Sequence, residues 1–173
     1  MASNYLEQLA AEWFEYRGYF VRRNIRVGPR VGGGHEGELD VVAYDPSTSE
    51  LLHVETSMDA DSWAEREKRC LRKFQTGERY IRALFHGISS KTPIEKIAIF
   101  GLGSRKNHKV VGGGTVKLVD EFVADILADL ATVSWYKRAV PEQYPIIRTL
   151  QVVSEFRGSL FQLQAPRAGN VGS

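Results

Sequence analysis

With 173 residues, 43% of them apolar and 25% charged, the chain suits one globular domain with a single core of useful size. Its net charge of +2 is too small to imply nucleic-acid binding by itself, so any basic surface must come from local clustering. The single cysteine, Cys70, excludes an internal disulfide framework and a cysteine-based zinc site and fits a reducing cytosol, and no apolar run approaches the roughly 18 residues of a membrane span. The N-terminus lacks the basic-then-apolar order of a signal peptide, so a cytoplasmic location is expected.

Residues 3–17 read as a helix. Ser3 or Asn4 is its N-cap, Glu7 follows at capping-box spacing, and Leu6, Leu9, Ala10, Trp13 and Phe14 keep a helical period until Gly18 stops it. Residues 19–27 alternate as a strand, and 28–37 form a loop with five glycines together with Pro29, Arg30 and His35. Strands over 38–45 and 50–57 follow, joined by Asp-Pro-Ser-Thr-Ser, a strong turn signal. Residues 61–85 read as a long helix with Trp63, Cys70, Phe74, Ile81 and Leu84 on its apolar face and a crowd of basic residues around the rest. A buried strand over 95–102, a basic glycine-rich connection over 101–114, a short strand or helix entry over 115–118 and a helix over 120–131 come next. A last helix is expected over 141–156, so the domain spans 1–156 and 157–173 form an extended or disordered tail.

The stretch 37–57 carries the chemistry. Alternate residues of a strand share a face, so Asp40 lies with Val42, and His53, Glu55 and Ser57 lie together. If the two strands pair as a hairpin, Asp40 and Glu55 meet at one end of it. Two carboxylates on strand ends suit a hard divalent cation. Glu38 and His53 share those faces: they could extend the site, and the solvated rim is the expected place for them.

An Asp, a turn, and a strand ending in Glu-x-Lys is the signature of the PD-(D/E)xK nuclease superfamily, and the fifteen-residue separation of Asp40 from Glu55 resembles it. The N-terminal helix with Glu7, about eleven residues before Gly18-Tyr19-Phe20, looks like that family's first helix and strand. The likeness runs from residue 4 to about residue 100. It implies a restriction-endonuclease-like α/β fold, a mixed β-sheet flanked by α-helices, binding DNA and hydrolysing phosphodiester bonds with Mg²⁺ or Mn²⁺. Asp40, Glu55 and the backbone carbonyl of Thr56 would be the metal ligands, with Glu7 outer-sphere or on a second ion. A homodimer is a further family expectation, and a protein partner is open.

The chain departs from the pattern at two places: the family's Lys, two residues after the acid, is Ser57, and, less seriously, the usual Pro before Asp40 is Leu39. Arg66 and Lys73 flank the apolar face of helix 61–85 and, with Arg30 and His35, are the candidate nucleic-acid contacts. Lys73 has the chemistry to replace the missing lysine but lies about three turns into its helix, on the order of 15 Å along the axis. Arg66 is nearer but cannot act as a base. The rival readings are a catalytically inactive relative that binds DNA or protein, and an assembly component that never meets DNA.

Overall fold

The computed structural model describes residues 4–104 and 107–162. Arg105 and Lys106, counted with the second basic loop, and the tail from 163 onward lie outside the described residues. The chain divides into two compact units, Met1–Ala124 and Asp125–Ser173.

The first unit begins with α1, Tyr5–Tyr16, capped by Asn4, whose side chain accepts from the Glu7 amide. Leu6, Leu9 and Ala10 are fully buried on its inner face. Gly18, at φ 94, ends it in the left-handed conformation that favours glycine. The chain continues as β1 (Phe20–Pro29), β2 (His35–Asp45) and β3 (Glu50–Ser57), then α2 (Trp63–Tyr80) with a 3₁₀ turn at Ile81–Leu84, then β4 (Ile94–Phe100), β5 (Val110–Val111) and β6 (Gly114–Leu118). Helix α3 (Val119–Leu130) contains the unit boundary. The six strands form one sheet in the order β1-β2-β3-β4-β6-β5. The β1–β2, β2–β3 and β5–β6 pairs are antiparallel, and β3–β4 and β4–β6 are parallel, so the sheet is mixed. Both parallel neighbours of β4 are reached by crossovers, and the first of these carries α2.

The expected glycine loop is shorter than its composition suggests. β1 and β2 stay paired out to Pro29 and His35, and only residues 30–34 turn, closed by Arg30 N–H to Gly34 O at 3.1 Å. Arg30 and His35 therefore stand exposed at a hairpin tip. Gly28 and Gly37 lie inside the strands, where α2 comes close: a Cβ on Gly37 would meet the Thr76 methyl at 3.1 Å.

The relation between β3 and α2 sets the site. After Ser57 the chain turns through 58–62 and α2 runs back along β3. Ser57 meets Arg69, Glu55 meets Lys73, and His53 meets Gly77. Each step is two residues of strand, about 6.6 Å, against four of helix, about 6 Å, so the two elements stay in step over three contacts. A helix in this register needs a gap beside the imidazole. A Cβ on Gly77 would lie 2.3 Å from Nδ1 of His53, so only glycine fits.

In the second unit, α4 runs from Pro145 to Gln162. It starts four residues later than expected and continues into the stretch expected as tail. The buried Gln151 side chain accepts from Val140 N–H and donates to Arg138 O, and Ser154 donates to Leu127 O. No described helix is long and apolar enough to cross a membrane.

Candidate functional site

A cavity of about 570 Å³ opens where the β1–β2 hairpin, the start of α1, the end of β3 and the middle of α2 meet. Glu7, Asp40, Thr56, Ser57 and Lys73 line it together with Asn4, Asn24, Arg69 and Arg72. Each wall supplies side chains for a local reason. Residues 39–43 of β2 are buried in the middle of the sheet, so Asp40 is held on rigid backbone. β1 pairs Arg23 with Val41 and Ile25 with Leu39, which sets Asn24 opposite Asp40. Asn24 has φ 50, the left-handed region that Asn tolerates better than most residues, and it turns the strand at the cavity wall.

At the floor, Lys73 Nζ donates to Asp40 Oδ1 at 2.6 Å and to Glu55 Oε2. The other Asp40 oxygen, Oδ2, accepts the Thr56 amide at 2.8 Å. Behind Glu55 lies His53, wholly buried, with Nε2 at 2.7 Å from Glu55 Oε1. From cavity to core the order is Asp40 and Lys73, then Glu55, then His53, then the Gly77 backbone.

Burial governs the charges. Asp40 is pushed up to about 6, first by burial and then by the Glu55 charge, against the pull of Lys73 and the Thr56 amide. Glu55 is also raised by burial, with Lys73 and Asp40 opposing the shift. Burial works against the charge on Lys73, but Glu55 and Asp40 outweigh it and raise the ammonium above its usual range. His53 is driven down to about 3, chiefly by burial and next by Lys73, so the ring is neutral. Two buried carboxylates thus share one ammonium, and the pair carries surplus negative charge whenever both ionise.

The expected residues are placed as follows. Asp40, Glu55 and Thr56 converge. Glu7 lines the cavity as well as serving the helix start: the Asn4 amide nitrogen donates to Glu7 Oε1 at 2.9 Å and to Thr56 Oγ1 at 3.1 Å, which ties α1 to the site. Ser57 is held apart from the carboxylates. Its hydroxyl donates to Asp59 Oδ2 at 3.0 Å and accepts from Arg69 Nη2 at 2.9 Å, so the motif position belongs to an Arg69–Asp59–Asp61 ionic group. Arg30 and His35 do not line the cavity.

Two expectations need correction. Arg66 is buried, with Nη2 on the Asp59 carbonyl at 2.9 Å and its guanidinium over the Trp63 and Phe100 rings. The wheel position that flanks the apolar face turns inward at that depth, and Arg66 offers no surface to a phosphate. His53 is not at a solvated rim but is fully buried, because Phe74 and Gly77 of α2 pack against its ring.

Lys73 reaches the carboxylates although it lies three turns into α2, because the helix starts beyond Ser57 and returns toward Glu55. Three turns along the helix bring Lys73 to the site. Arg72, exposed to solvent, lines the cavity beside it.

Among the described residues, there is no group of three or more His, Cys, Asp and Glu side chains that could hold a metal ion. The donor chemistry is nevertheless that of a hard divalent ion. Asp40, Glu55 and the Thr56 carbonyl are all oxygens, and Mg²⁺ is bound through one or two carboxylates with waters and substrate phosphates completing its shell.

No family model matches the sequence, and no curated protein matches it. A solved structure described as "Crystal Structure of Protein of Unknown Function AF1548" is similar over 88% of this chain and 96% of its own, at 15% identity and a TM-score of 0.43.

Proposed function

We propose that this protein is a restriction-endonuclease-like DNA phosphodiesterase dependent on Mg²⁺ or Mn²⁺, with Lys73 of α2 in the role that the resemblance assigns to position 57. The observation that carries the reading is the meeting of the Lys73 ammonium with both Asp40 and Glu55. The element order α1-β1-β2-β3-α2-β4, with the two acids on adjacent central strands, also supports it.

Asp40, Glu55 and the Thr56 carbonyl would hold the ion. A bound divalent cation polarises a phosphoryl oxygen and acidifies a water. The protein's own groups do the rest. Lys73 stays protonated because both carboxylates favour its charge, so it acts as a hydrogen-bond donor to a phosphate oxygen and not as the base. The Thr56 amide fixes one Asp40 oxygen, which orients the other. Arg69 and Arg72, three residues apart on α2, line the cavity beside Lys73 and give a phosphate backbone a cationic wall.

The test is incubation of supercoiled, linear and branched DNA with Mg²⁺ or Mn²⁺, comparing wild type with Asp40→Asn. Metal-dependent cutting by wild type alone supports the reading. DNA binding without cutting by either protein favours the inactive relative, and no binding at low salt favours an assembly role.

A further inference from the structure

We infer that His53 is a positioning residue for the metal-binding carboxylate of Glu55, and that Gly77 exists to let it act; the inference rests on the nuclease reading above. The ring is fully buried, and a buried imidazole between β3 and α2 is a costly way to fill a core. Its two nitrogens face different worlds. Nε2 is 2.7 Å from Glu55 Oε1, an acceptor, so Nε2 carries the hydrogen. Nδ1 is buried with no hydrogen-bond partner and faces the Gly77 backbone, where a Cβ would come within 2.3 Å. The Phe74 ring meets the imidazole edge-on at 5.0 Å and fixes its plane.

The imidazole is therefore locked in one tautomer and one orientation. Its N–H holds Oε1 of Glu55 and leaves Oε2 turned toward the Lys73 ammonium, which also bonds Asp40. A ligating carboxylate oriented by a buried donor keeps its free oxygen aimed at the ion without an entropy cost at the moment of binding. Asp40 has the equivalent support from the Thr56 amide on Oδ2, and the Asp40 backbone N–H adds a longer contact to Glu55 Oε1 at 3.5 Å, so each ligand has one oxygen held by donors of the scaffold. The sequence marks the device: His53 stands two residues before Glu55 on one strand face, and Gly77 stands four after Lys73 on the helix that covers it.

The experiment combines Mn²⁺ binding by electron paramagnetic resonance on folded wild type, His53→Leu and His53→Gln with ¹⁵N spectroscopy of the wild-type imidazole. Leucine fills the space without a donor, and glutamine restores an N–H. The expected result is an Nε2-protonated ring, a loss of about 10- to 100-fold in Mn²⁺ affinity in His53→Leu, and recovery of most of it in His53→Gln. A folded His53→Leu that binds Mn²⁺ as wild type does, or a ring protonated at Nδ1, overturns the inference. Absence of Mn²⁺ binding in wild type overturns the nuclease reading instead. The positioning claim is then decided by the crystal structure of His53→Leu: a Glu55 side chain that leaves Lys73 upholds it, and an unmoved one overturns it.

Discussion

Lys73 Nζ lies 2.6 Å from Oδ1 of Asp40, a residue 33 positions earlier in the chain, and the same ammonium bonds Glu55. One cation thus offsets two buried carboxylates. Removing it leaves like charges facing each other with little water to screen them. Lys73→Met is expected to cost about 3 kcal/mol of stability at neutral pH, in the range for breaking a buried pair. Millimolar Mn²⁺ should restore much of that loss by binding the folded state alone. Thermal melts with and without the ion check both halves. The same variant should lose cutting by about 10²- to 10⁴-fold, the range for a single positioned donor or proton-transfer group.

Asp40 gives the pH dependence. Its folded pKa, about 6, is above its ordinary value of 3.8, so between those values the folded state holds the proton more tightly than the unfolded chain does. The sign follows from linkage: this group's contribution to stability is greatest below about 3.8, falls as pH rises through 6, and is flat above. Metal binding needs the ionised form, so Mn²⁺ affinity should climb as pH passes 6 and then level off. Titration calorimetry from pH 5 to 8 measures this. Asp40→Asn should abolish the binding while leaving the metal-free protein at least as stable at pH 7, because it removes one of two repelling charges.

Position 57 is expected to be silent as a lysine site. The Ser57 hydroxyl is enclosed by Asp59 and Arg69, and an ammonium introduced there would meet the Arg69 guanidinium before it met a phosphate. Ser57→Lys should therefore give no gain in cutting over wild type in a nicking assay. A large gain would show that Lys73 does not fill the role.

Arg72 and Arg66 separate surface charge from core charge. Arg72 is exposed at the cavity, and Arg66 is buried among Trp63, Phe100 and the Asp59 carbonyl. Arg72→Ala should reduce the slope of log DNA affinity against log salt by about 0.9 for one lost phosphate contact. Arg66→Ala should leave that slope unchanged and lower the melting temperature. Fluorescence anisotropy across a salt series and a melt distinguish them.

Gly77→Ala tests the fit of α2 on β3. Alanine is the better helix former by about 1 kcal/mol, so on a free helix the change would stabilise. Here the added methyl would press on the His53 ring, and the expected result is a net loss of about 1–3 kcal/mol from overpacking. A stabilised Gly77→Ala by chemical denaturation would mean that the imidazole moves aside at no cost.

The sequence by itself determined the local elements and the two acids. Helical period and capping marked α1, and strand alternation with a strong turn marked β2 and β3. With those strands antiparallel, Asp40 and Glu55 had to come together, because a tight hairpin leaves no other register for Val41 with Val54. The length of the β1–β2 hairpin was hidden, because its glycines read as loop while cross-strand pairing keeps them in the strands. The roles of His53, Arg66, Lys73 and Gly77 were decided only by the tertiary structure. A helical wheel gives the angle of a side chain but not the direction in which the helix runs. The turn at 58–62 sends α2 back along β3, and that reversal carries Lys73 to the carboxylates, draws Arg66 inward and covers His53.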